Sequence, residues 1–197
     1  MTVTAADYSW FEDTFPDLAE AYCLTLVKDL APADLLRRLD GEEGPVLTGA
    51  AAVVEAAYRL GDSQQLVAMA RVGPWTLMIE PNGHLGVDEE RALPASAGTT
   101  WISHFCNVNG LGSFLWAEDG GVRSAFEPVL PDSRWGSTPD DQLSAMHRVG
   151  FHFGTDAPDV DRSVAAAFAL AETMTGVRPT PELLGTTAFT CGFLRIR

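Results

Sequence analysis

His104 and Cys106 stand two residues apart in the run TWISHFCNV. Residues two apart in an extended strand point to one face of its sheet. The spacing therefore predicts an imidazole and a thiol side by side. An imidazolium next to a thiol lowers the thiol pKa and makes a thiolate nucleophile, with Asn107 or Glu80 as groups that could orient the ring. No nucleophile signature surrounds Cys106, and Ile102 and Val108 share its face. The competing reading is a small buried thiol beside a hydrogen-bonded core histidine.

Carboxylates form a second set. Glu118 and Asp119 adjoin Gly120-Gly121. An acid/base pair needs one carboxyl shielded enough to hold its proton, whereas turn carboxylates are normally solvated, so this pair also reads as a hairpin turn. Glu80 and Glu127 each end an apolar run before a proline and are the better candidates for burial. Aromatics form a third set: Trp75, Trp101, Trp116 and Trp135, with Phe105, Phe114 and Phe126. Most belong in a core, but so much aromatic surface can also line a pocket or an interface. Trp135, in the polar run DSRWG, is the expected exposed anchor. The binding candidates are thus Trp135, Trp101, Trp116, Glu118 and Asp119.

No metal site is expected. His84, His104, His147 and His152 form no ligand spacing, and Asp156, Asp159 and Asp161 lack the glycine and terminal glutamate of a calcium loop. Asp at a helix start satisfies free N–H groups and explains that cluster better. No cofactor is expected either: Gly110-Leu-Gly112 is too short for a dinucleotide fingerprint, and no phosphate loop or nucleophile elbow occurs.

The elements that must position these residues centre on residues 98–135. Runs 99–108, 113–117 and 122–129 read as strands, joined by NVNGLG and EDGG, whose Gly and Asn residues reach positive φ cheaply. The run 101–108 is expected to be a central strand with Ile102 and Phe105 buried. Before this meander, Tyr8, Trp10, Phe11 and Phe15 are spaced to dock a short helix on the body. The run AYCLTLVKD fits a buried strand with apolar residues on both faces, and Pro32 opens a helix ending at Gly41. Residues 42–45 read as a loop, 50–60 as a helix, and 65–71 with 75–80 as a hairpin. After the meander, 130–138 read as a loop, 140–149 and 156–175 as helices, and 187–197 as a last strand. The fold class is α+β: a single domain, 1–197, with a mainly antiparallel sheet of about six strands and helices packed on one face.

The chain of 197 residues, 46% of them hydrophobic, suits one domain. Its formal net charge is −14, which repels phosphate backbones and anionic membranes and attracts a basic partner. Nucleic acid and membrane are therefore not expected as partners. Cys23, Cys106 and Cys191 are an odd number without close spacing and predict free thiols of a reducing cytoplasm. The first residues carry no signal-peptide pattern, and no apolar run approaches the ~20 residues of a membrane span.

Four pieces occur in order: CLTLVKDLAPADLLRRLDG, WTLMIEPNGHLG, FLWAEDGGVRSAFEP and ALAETMTGVRPTPELL. Together, over about residues 10–184, they resemble an actinobacterial family of small cytoplasmic proteins catalogued as a domain of unknown function. The resemblance implies a bacterial cytoplasmic protein and brings no activity, catalytic residue or cofactor. The sequence leaves two functional expectations. One is a non-enzymatic, immunity- or antitoxin-like interaction protein with a basic protein partner. The other is a small-molecule binder or enzyme of bacterial specialised metabolism, with a pocket lined by Trp101, His104, Cys106, Trp116 and Glu80.

Overall fold

The computed structural model describes residues 2–61, 63–154 and 159–195. Asp156, expected in the helix-start cluster, and the last two residues of the expected final strand lie outside the described residues. A 3-10 turn, Ala5–Tyr8, leads into α1 (Trp10–Thr14) and α2 (Pro16–Ala19). Then come β1 (Tyr22–Lys28), α3 (Pro32–Arg38), β2 (Glu42–Thr48), α4 (Ala50–Tyr58), β3 (Gln64–Val72) and β4 (Trp75–Pro81). A 3-10 turn, Leu85–Val87, and α5 (Glu89–Ala95) precede β5 (Thr100–Cys106), β6 (Gly112–Glu118), β7 (Gly121–Glu127) and β8 (Leu130–Trp135). The chain closes with α6 (Leu143–Val149), α7 (Val160–Thr175), α8 (Pro181–Thr186) and β9 (Ala188–Arg195).

The α+β class holds, with one antiparallel sheet, but the sheet has nine strands among the described residues instead of about six. Their order is β2-β9-β3-β4-β1-β5-β6-β7-β8. The segments expected as loops at 42–45 and 130–138 are the edge strands β2 and β8. Both are largely exposed, so neither shows the apolar alternation that marks a half-buried strand. Each carries a proline. In β2 the register slips between Glu43 and Val46, and Pro45 lies within that slip, where a missing N–H costs no ladder bond.

The expectation of helices on one face is also corrected. Tyr22, Leu24 and Leu26 of β1, with Trp75, Leu77 and Ile79 of β4, meet a core closed by α1, α2, α4, α6, α7 and α8. Val27, Met69, Met78 and Trp101 point the other way, into a second core closed by α3 and α5. Burial on both faces explains why β1 and β4 are nearly continuous apolar runs. Helix α7 is buried without interruption from Ala165 to Ala171, because alanines on most sides let it lie deep in the layer. Ile102 is 2% exposed, as expected, but Phe105 is only half-buried. Its ring centre lies 6.2 Å from that of the exposed His84.

Candidate functional site

His104 and Cys106 do share a face of β5, the one covered by α7. Among the described residues no hydrogen bond joins them: His104 bonds Tyr22, and the Cys106 thiol faces the Asn107 carbonyl. His104 Nδ1 is 3.0 Å from the Tyr22 hydroxyl, which can donate to it. Its ring meets Phe168 edge-on at 4.4 Å. Burial holds its pKa down at about 3, so the imidazole is neutral. Its Nε2 is buried without a protein partner. Burial also pushes the Cys106 thiol up, with the Asp161 carboxylate adding to the effect. A ring held at so low a pKa is a poor base for a thiol whose own pKa is raised.

Glu80 lies on the opposite face, since it alternates with Ile79 along β4. It is fully buried. Its carboxylate accepts from the backbone N–H groups of Leu85 and Gly86, both at 2.9 Å, and from the Gln65 amide at 2.5 Å. Burial raises its pKa to about 7, against the lowering effect of those backbone donors and of the Cys23 thiol. Cys23 pairs with it across β1 and β4, and Cys23, Thr25 and Ser103 form a contiguous buried polar cluster. Gly86 closes over this cluster: a Cβ there would strike the Thr25, Ser103 and Cys23 side chains. Trp101 completes the cover by donating its indole N–H to the Gly86 carbonyl at 2.8 Å. The arrangement straps the turn after β4 onto the sheet.

The remaining candidates are dispersed. Trp101 and Trp116 sit on opposite faces of the sheet. The Arg123 guanidinium lies 5.4 Å from the Trp116 ring centre and 3.7 Å from Glu118. Asp119 sits at φ +47° in the β6–β7 turn and accepts from the Gly98 N–H at 2.8 Å. Trp135 is 50% exposed at the end of β8, with its indole N–H directed at Glu89. Cys23, Cys106 and Cys191 are free and buried. Among the described residues no group of three or more His, Cys, Asp or Glu side chains could hold a metal, and no helix is long and apolar enough to cross a membrane.

The concavity lies elsewhere. A cleft of about 1060 Å³ runs between the N-terminal segment, the β5–β6 loop, the end of α6 and the start of α7. Of the expected pocket residues it includes only Cys106. Tyr8, Phe11, Val149 and Val164 give it an apolar floor, while Glu12, Asp13, Glu20, Asp159 and Asp161 outnumber Arg148 and Arg162 around it. Asp159 caps α7 through the Arg162 N–H at 3.1 Å, and the Arg162 side chain bonds the Gly150 carbonyl at 3.0 Å. Among the described residues, Glu12, Asp13, Glu20 and Asp161 form no ion pair. Gly110, at φ +72°, brings the β5–β6 loop against Val160 and closes one end. Tyr8 is fixed from behind by its hydroxyl, which donates to Glu172 at 2.6 Å. The sequence signal for this site is the N-terminal helix with aromatics on one side and Glu12-Asp13 on the other; what it covers could not be read from spacing.

No curated protein and no solved structure matches the chain. A family model matches it over residues 1–197, and the chain therefore belongs to that family of unknown function, DUF6461.

Proposed function

We propose that this chain is a non-catalytic interaction protein of the bacterial cytoplasm that binds a basic protein partner, with an immunity- or antitoxin-like role as its concrete form. One observation carries the reading. The groups able to do chemistry are buried, neutral or caged, and divided between two faces of the sheet, with His104 and Cys106 on one and Glu80 on the other. What the protein offers outward is uncompensated carboxylate and the exposed Trp135. Three free thiols support a reducing compartment.

The test is capture of a partner from the native host, followed by association and dissociation rates across a salt series. Charge steering acts through the on-rate, so association slows as salt rises. A central Trp anchor acts through the off-rate, so Trp135→Ala speeds dissociation, with a loss of at least ~2 kcal/mol. Salt-independent association together with an unchanged off-rate would refute the proposal. A second reading, small-molecule binding, is favoured by the cleft, whose 1060 Å³ reaches the upper end of ligand-site volumes. A small molecule that co-purifies with the protein, with no protein partner recovered, would decide for it.

A further inference from the structure

The cleft has features that distinguish a groove for a chain segment from a pocket for a compact ligand. A small-molecule site sets a few polar groups convergently within its apolar wall. Here the carboxylates Glu12, Asp13 and Asp161 are exposed and stand at the rim, while the accessible floor at Val160 and Val164 is apolar. The apolar surface continues outward through Val108, which is 63% exposed. A flat protein face could not fill such a concavity. Charge at the rim and apolar contact below suit a chain that alternates cationic and apolar side chains, one set directed up and the other down.

Resting on the interaction reading, we infer that the cleft receives an extended basic segment of the partner protein. An apolar side chain of that segment lies on Val160 and Val164, and its Arg or Lys side chains meet Glu12, Asp13 and Asp161. The rim carboxylates have no cation of their own among the described residues, so the segment gains attraction without first breaking an existing ion pair. The inference concerns the place and form of binding, whereas the interaction reading concerns only its occurrence.

The test uses the full chain and an acetylated, amidated hexapeptide of alternating Arg and Leu, with titration calorimetry as the readout. The cleft variant combines Glu12→Gln, Asp13→Asn and Asp161→Asn. A control combining Glu43→Gln, Glu90→Gln and Glu182→Gln removes the same net charge away from the cleft. The peptide is expected to bind wild type and the control within about twofold, and to lose about tenfold or more on the cleft variant. A peptide with Glu for Arg is expected not to bind. Equal losses in both variants, or no binding to wild type, would overturn the inference. So would octylamine binding as tightly as the peptide, because the site would then be one for small cations. Once the partner is captured, unchanged rates on the cleft variant would also overturn the inference while leaving the interaction reading intact. Capture of an acidic partner would instead refute that reading.

Discussion

Two buried groups, one on each face of the sheet, give stability opposite dependences on pH. Glu80 has its pKa raised from 4.5 to about 7. Between those values the folded protein holds more protons than the unfolded chain, so stability falls as pH rises. At ~1.4 kcal/mol per unit the whole fall is about 3 kcal/mol, complete above pH 7. His104 has its pKa lowered from 6.5 to about 3. There the unfolded chain holds the extra proton, so stability falls as pH drops through that window, by about 5 kcal/mol in all. From pH 4.5 to 6.5 the two slopes oppose and nearly cancel. The perturbations are Glu80→Gln and His104→Gln, each followed by urea unfolding at half-unit steps from pH 3 to 8. The difference between wild type and Glu80→Gln should shift against wild type by about 3 kcal/mol between pH 4.5 and 7. The difference for His104→Gln should shift in favour of wild type by about 5 kcal/mol between pH 3 and 6.5. A difference that stays constant with pH for either variant would show that the group keeps its ordinary pKa in the fold.

Phe168 touches Tyr8, Phe11, Tyr22 and His104. Phe168→Ala should therefore cost ~3–5 kcal/mol in chemical denaturation, and the half-buried Phe105→Ala distinctly less. Gly86→Ala would force a methyl into the Cys23, Thr25 and Ser103 cluster, and should cost ~1–3 kcal/mol by the same assay. Gly61→Ala, where a Cβ meets nothing within 4 Å, should stay within about 0.5 kcal/mol. Thiol titration of the denatured, unreduced protein should count all three cysteines as free.

The elements that sequence disclosed are those buried on at least one face. The apolar run of β1, the faces of β4, the Pro-led start of α3 and the three meander strands follow from periodicity and turn chemistry. The run AYCLTLVKD even carried the sign of a two-sided core, because apolar residues occupied both faces of β1; helices on one face could not have covered it. β2 and β8 were illegible for the converse reason. An edge strand owes its conformation to a neighbour's hydrogen bonds, and its own side chains, Glu42 and Glu43 or Asp132 and Ser133, record only solvent. Same-face spacing correctly put His104 with Cys106. It could not tell that the Tyr22 hydroxyl would bond one ring nitrogen, or that Glu80 would turn away to hold a loop. The cleft was the least legible feature, since it is assembled from segments distant in the chain.

The position of β9 governs the order in which the sheet can be made. β9 lies between β2 and β3 and pairs with both. As the chain leaves the ribosome, β3, β4, β1 and the meander can pair with one another. β2 has no place among them until residues 188–195 emerge, and β3 keeps an unprotected flank through Leu66 and Val67. The nascent protein is thus a seven-stranded sheet with an apolar open side, the form of intermediate that recruits chaperones or joins to another copy. A stop before residue 188 would fix that state permanently. Its product would keep the meander and the buried His104, yet accumulate as aggregate.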